Sequence, residues 1–214
     1  MLGLTIPLIF TRVVTLVIAL SIHEFSHAWV ANALGDDTPR LNGRLTLNPL
    51  AHLDLIGSLM LLVAGFGWAR PVPVNPYNFR SKSAGMMWVG LAGPLSNLLL
   101  AILASIPFRL GLDLSWPVYS RFFPSLSEFL YTFIIINLVL MLFNLIPIAP
   151  LDGEKILSHF LPPSLGDIFE RLRPYGPLLL MLVFFAAPAL GFPILNWILS
   201  PALSGITHLL LGGV

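Results

Sequence analysis

The chain has 214 residues, 57% of them hydrophobic and only 10% charged, with a net charge of +1 and a mean hydropathy of +0.88. Soluble domains run at about 45–50% apolar and about 25% charged, so an ordinary soluble fold is excluded, and so is disorder. The balanced charge leaves no basic field for nucleic acid, and the lack of cysteine rules out disulfides, thiolate nucleophiles, iron–sulfur clusters and Cys-ligated zinc.

What remains is one integral membrane domain over 1–214, in which any metal rests on His, Asp or Glu. Its first span runs from about Ile6 to Leu34, helical in length and apolar in bulk, yet holding Arg12, His23, Glu24 and His27. Met1–Phe10 carries no basic side chain and no small-residue cleavage site precedes the charged cluster, so the segment reads as retained rather than as a signal peptide. Arg12 reads as a side chain snorkelling to the interface.

Next, Leu45–Leu47 and Val72–Val74 read as extended, the second because proline disfavours the α-region before it. Between them Leu55–Ala69 is apolar, but 15 residues reach only about 22 Å at about 1.5 Å each, short of roughly 30 Å of hydrocarbon. Gly57, Gly65 and Gly67 weaken it further as a lone helix. It is expected to be re-entrant or interfacial, a shape tolerated at membrane depth when protein covers it. Trp68 and Trp88, flanking the basic loop, read as interfacial anchors.

Between Lys82 and Arg109 lie 26 uncharged residues, and between Glu128 and Asp152 another 23, which is one span each. The 41 residues from Pro174 to Val214 hold no formal charge and are punctuated by Pro188, Gly191, Pro193 and Pro201. They fit either two short spans or one span and an interfacial helix. The expected fold is an all-α polytopic membrane protein of about 4–6 membrane segments. Its core covers about 6–160, and one or more further segments lie in 174–214.

Lysine and arginine set the orientation. Gly35–Gly85 carries Arg40, Arg44, Arg70, Arg80 and Lys82, and the stretch after Asp152 adds Lys155, Arg171 and Arg173, whereas the loop between the second and third spans holds Arg109 and Arg121. Cytoplasmic loops are the basic ones, so eight against two places the first group inside, provided that Leu55–Ala69 does not cross.

His23-Glu24-Phe25-Ser26-His27 is H-E-x-x-H on a helix. Spacing of i and i+4 sets the imidazoles about 40° apart, so both can ligate one Zn²⁺ while Glu24 activates its water. By independent residue frequencies a chance match has odds of about 2 in 1,000. Ionisable groups inside a membrane are expensive and usually functional, which disfavours a merely buried histidine pair. Catalytic zinc takes three protein ligands, so a third must lie on the same side: Asp152, His159, Asp54 or His52, with His208 remote. Asp152 is best placed, ending the third span on the inside. His52 and Asp54 are expected instead to order the linking region. Gly90, Gly93 and Ser96, with Asn97 beside them, form a small and polar helix face, suited to close packing first and to lining a substrate groove second. Pro147 and Pro150 break the third span just before Asp152.

These motifs resemble the site-2 protease family of intramembrane zinc metalloproteases. His23-Glu24-x-x-His27 matches the family's first motif, and Asn144-Leu-Ile-Pro147-Ile-Ala-Pro-Leu-Asp152-Gly153 its second. Gly93-Pro-Leu-Ser-Asn97 is similar to its intervening G-x-x-x-N pattern. Arg44-Leu-Thr-Leu-Asn48-Pro49 and Arg70-Pro71-Val-Pro73-Val-Asn75-Pro76 resemble the linking region of its short bacterial and archaeal members. The resemblance implies a three-span catalytic core, one Zn²⁺ per chain with Asp152 as the third ligand, and Glu24 as the catalytic acid–base. It also implies a multi-pass enzyme of the cell membrane, its site toward the cytoplasm, cleaving membrane proteins in or near a transmembrane segment to release a cytoplasmic factor. A PDZ insert or CBS tail, found in some relatives, is not expected here. Asn144 is implied to lie near the zinc as an oxyanion donor, the alternative being an amide bonded to nearby backbone. Strand addition onto Leu45–Leu47 or Val72–Val74 is one way to hold an unwound substrate. Two other readings are a membrane metal transporter, which needs ligands along a trans-bilayer path, and a metal-binding relative that does not cut.

Overall fold

The computed structural model describes residues 5–64, 68–114 and 123–212. Helix α1 (Ile6–Ala33) starts where the Thr5 hydroxyl accepts the Leu8 N–H and Pro7 occupies the first turn. Its 28 residues extend about 42 Å at about 1.5 Å each, more than the hydrocarbon thickness.

The chain then folds into a linking region with two single-turn helices, α2 (Thr38–Leu41) and α3 (Pro49–His52), and a longer one, α4 (Leu55–Ala64). Three buried polar side chains organise it. The Asp36 carboxylate accepts from the Thr38 hydroxyl (2.5 Å), the Thr38 N–H (3.1 Å), the Asn75 N–H (2.7 Å) and the Asn78 amide (2.6 Å), tying the region's two ends together. Burial pushes that carboxyl up, but the Thr38 hydroxyl, followed by the Asn75, Asn78 and Thr38 nitrogen donors, holds it below the usual carboxylate range. Arg44 donates to the carbonyls of Ala51, Arg70 (3.2 Å) and Pro71 (3.1 Å). His52 bonds the Thr46 carbonyl at 2.7 Å, and Asp54 caps α4 by accepting the Gly57 N–H.

Leu53 and Ala69 form an antiparallel bridge, and the Arg70 N–H donates to His52 at 2.8 Å. The two ends of the apolar segment therefore lie side by side, as a re-entrant piece requires; its residues 65–67 fall outside those described, as do Arg121 and residues 1–4. Among the described residues this bridge is the sole β-pairing, so neither Leu45–Leu47 nor Val72–Val74 belongs to a strand.

The long helix α5 (Lys82–Arg109) begins at a Ser81 cap and ends at its first interior charge, matching the uncharged stretch of the sequence. Pro94 lies within it and removes the N–H that would have bonded Gly90. Helix α6 (Leu126–Asn144) opens on a reciprocal capping box between Ser125 and Glu128. It stops eight residues short of Asp152: the Pro147 and Pro150 loop intervenes, and Asp152 opens a new helix, α7 (Asp152–Phe160), rather than ending the span. α5 packs against α1, α6 and α7 and is the centre of the bundle.

After α7 the chain continues through α8 (Pro163–Leu172), a 3₁₀ turn, α9 (Gly176–Met181), a π-helical turn at Leu182–Ala186 and α10 (Ala187–Ala189). Gly191, at φ +85°, turns the backbone into α11 (Ile194–Leu211). The Arg173 guanidinium holds the buried Glu154 carboxylate at 2.8, 3.0 and 3.1 Å, tying this run to α7. Leu203, Ile206, Leu210 and Leu211 of α11 pack on Ala101, Ile134, Leu138 and Met141 of α5 and α6. Among the described residues, five helical stretches are long and apolar enough to cross a membrane: Ile6–Ala33, Lys82–Arg109, Leu126–Asn144, Ser164–Ala189 (running through α8 to α10) and Ile194–Leu211. The molecule is an all-α multi-pass membrane protein, and the stretch after Pro174 contains α11 and the second half of the helix before it.

Candidate metal centre

α1 and α5 lie antiparallel, as two pairings show. His23, on the earlier turn of α1, meets Asn97 on the later turn of α5, and His27 meets Val89. Both motifs are i, i+4 stripes, so the two histidines face Val89, Gly93 and Asn97 along one seam. Gly93 is the slot between them. A methyl group added there would sit 2.5 Å from His23 Cε1 and from the Nε2 atoms of both histidines, so only the absence of a Cβ lets the rings approach the helix.

Each ring is oriented from behind. His23 Nδ1 donates to Asn97 Oδ1 at 2.6 Å, and His27 Nδ1 donates to the Val89 carbonyl at 2.6 Å. With hydrogen on both Nδ1 atoms, both Nε2 lone pairs point forward, to the same side as Asp152. Asp152 Oδ2 lies 3.2 Å from His23 Nε2 and 3.0 Å from His27 Nε2. The other carboxylate oxygen, Oδ1, accepts from Lys155 at 2.8 Å. Every candidate ligand thus has one atom facing the centre and another held by the protein. Asp152 reaches this position because α7 starts close to the end of α6, where a methyl group added at Gly153 would collide with the Leu145 and Ile146 carbonyl oxygens.

The donors suit a zinc ion. Bonds of about 2.0–2.1 Å at tetrahedral angles put ligand atoms about 3.3 Å apart, close to the 3.0 and 3.2 Å found here. The three side chains are buried, and their ligand atoms lie within 4.8 Å of one another, the sole such group of three among the described residues. At about 1.5 Å per residue the pair sits about 10–15 Å inside the end of α1 that leads to the linking region.

Of the other third-ligand candidates, His52 and Asp54 are engaged in the linking region, His159 pairs with the Ser83 hydroxyl at 2.9 Å, and His208 lies on α11. Glu24 is buried one residue from His23. Asn144, on the last turn of α6, donates one amide N–H to the Leu140 carbonyl at 2.9 Å. Asn97 does more than line a helix face: its Nδ2 donates to Asn137 Oδ1 at 2.9 Å, and Asn137 Nδ2 donates to the Phe133 carbonyl at 2.9 Å. Sequence reasoning missed Asn137 and Lys155. The signal for Asn137 was an amide within the uncharged, strongly apolar stretch of the third span. Lys155 had no signal beyond its i+3 distance from Asp152.

Comparison with known proteins agrees with the geometry. The family model described as "Peptidase family M50" matches residues 120–184, which include the Asp152 loop. The chain is 41% identical over 187 residues to "Putative zinc metalloprotease YwhC" of Bacillus subtilis, covering 86% of this chain and 85% of that protein. It is 32% identical over 214 residues to "Putative zinc metalloprotease Rip2" of Mycobacterium tuberculosis, covering 94% and 79%. "Zinc metalloprotease MJ0392" of Methanocaldococcus jannaschii is 26% identical over 153 residues, 72% of this chain and 35% of that one. No solved structure matches the chain significantly.

Proposed function

This chain belongs to peptidase family M50, the site-2 protease-type zinc metalloproteases, and from that membership we propose that it cleaves membrane-protein substrates within the bilayer, in or near a transmembrane segment. It is a metalloendopeptidase and its cofactor is zinc. The observation that carries the finer reading is the convergence of His23 Nε2, His27 Nε2 and Asp152 Oδ2, at zinc-ligand spacing, against α1 and α5, both long and apolar enough to cross a membrane. We assign those three side chains as the ligands and 1–214 as one membrane peptidase domain.

Bound there, zinc supplies a water acidified to near neutral pKa and a Lewis acid for the scissile carbonyl. The chain's own groups do the rest. The Glu24 carboxylate accepts a proton from the attacking water and delivers it to the departing amide nitrogen. Asn144 is the candidate oxyanion donor, with one of its two amide N–H groups bonded to the Leu140 carbonyl. Asn97 and the Val89 carbonyl keep the imidazoles in the ligating tautomer, and Lys155 steadies the Asp152 carboxylate. The lysine and arginine count supports a site on the cytoplasmic side of the cell membrane, with the linking region facing the cytoplasm. A released cytoplasmic fragment is the expected product.

Glu24→Gln tests this reading. The variant should keep stoichiometric zinc while cleavage of a transmembrane substrate falls at least about 100-fold, the range of a lost general base. Comparing membrane-protein fragments from cells with either form would name the substrate. Cleavage at an undiminished rate would exclude Glu24 as the base.

A further inference from the structure

We infer that Asn137 is a positioning residue for the metal centre, acting through Asn97 to set the tautomer of His23. The inference rests on His23 being a zinc ligand, as proposed above. Asn137 lies on α6, Asn97 on α5 and His23 on α1; both amides are fully buried. A buried asparagine flips between two orientations unless a neighbour distinguishes its oxygen from its nitrogen. Here the distinction begins at backbone. The Phe133 carbonyl can only accept, so the Asn137 nitrogen must face it, at 2.9 Å. The Asn137 oxygen then faces Asn97, and only the Asn97 nitrogen can answer it, at 2.9 Å. A second pure acceptor, the Ala19 carbonyl at 3.5 Å, favours the same orientation more weakly. The Asn97 oxygen is thereby turned to His23 Nδ1 at 2.6 Å, which must carry hydrogen. His23 Nε2 is left with its lone pair toward Asp152, the form that binds a metal.

Each of these hydrogen bonds has one donor and one acceptor, and reversing any one would set two donors or two acceptors face to face between fully buried amides. The relay crosses three helices, so it couples the packing of α6 to the ligand geometry on α1. Asn137 touches neither metal nor substrate, and its effect should appear in metal affinity and tautomer rather than in chemistry alone.

The test compares Asn137→Leu, the carbon isostere of the amide, with Asn97→Leu and the double variant, in detergent-solubilised full-length protein. Zinc affinity is read by chelator competition, and the His23 tautomer by ¹⁵N NMR of the metal-free protein in alkaline buffer. Asn137→Leu should weaken zinc about 10- to 100-fold, the usual cost of a lost outer partner, and bring in His23 with hydrogen on Nε2. Asn97→Leu should lose at least as much, and the double variant should be no worse than Asn97→Leu, because the two act in series. Zinc affinity within about twofold of wild type for Asn137→Leu, or losses that multiply in the double variant, would overturn the inference. So would wild-type His23 carrying its hydrogen on Nε2, a result that needs no variant to fold. His23→Ala separates the premises: if it binds zinc like wild type, the ligand assignment fails first; if it loses zinc while Asn137→Leu does not, only the relay fails.

Discussion

Adding one methyl group at Gly93 should disable the centre while leaving the helix intact. Gly93→Ala places a carbon 2.5 Å from both Nε2 atoms, about 1 Å inside an ordinary nonbonded contact of about 3.5 Å. The clash cannot be relieved cheaply. Each ring is held by a 2.6 Å hydrogen bond to the helix that carries the new methyl, so retreat stretches the bond to Asn97 or to the Val89 carbonyl. Losing one such outer bond lowers metal affinity about 10- to 100-fold. A misplacement of about 1 Å near reacting atoms costs about another 100-fold in rate. The helix itself gains, because alanine is preferred over glycine in a helix interior by about 0.5–1 kcal/mol. We therefore expect helical content near wild type, a thermal midpoint at or below it because overpacking at about 1–3 kcal/mol outweighs the helix gain, zinc bound at least about 10-fold more weakly, and cleavage slower by about 100-fold even with zinc saturating. Chelator competition, circular dichroism and cleavage of a model transmembrane substrate measure the three quantities. Wild-type zinc affinity and rate would refute the slot.

The remaining outer contacts make further predictions. Lys155→Met frees Asp152 Oδ1 from its 2.8 Å partner and should weaken zinc about 10-fold, read by the same competition; unchanged affinity would show that contact to be idle. Asp36 has a folded-state pKa below its ordinary value, so its contribution to the linking region is complete above the usual carboxylate range and is lost as pH falls through the lowered value. Protease cleavage within residues 34–81 should accordingly rise on acidification, and Asp36→Asn should show that susceptibility at neutral pH; a variant as resistant as wild type at neutral pH would contradict the role given to the carboxylate.

Much of this protein was legible in one dimension because water and hydrocarbon impose strict rules on single segments. A charge is costly in lipid, so Lys82 and Arg109 mark the ends of α5 in the sequence as they do in space. The 3.6-residue period puts His23 and His27 on one face of α1 wherever that helix goes. A segment of 15 residues is too short to cross, and the Leu53–Ala69 bridge agrees.

What no local rule reaches is the register between helices. His23 meets Asn97 74 positions away and Asp152 129 away, and those meetings depend on how α1, α5 and α7 slide and rotate until their surfaces interlock. Only that packing made Gly93 a slot rather than one more small residue, and put the new helix α7, not the end of α6, in charge of Asp152. It also recruited Asn137, a lone amide on a third helix, into line behind His23. The chemistry was spelled by residue types at helical spacing, and its geometry was decided by contacts among helices that lie far apart along the chain.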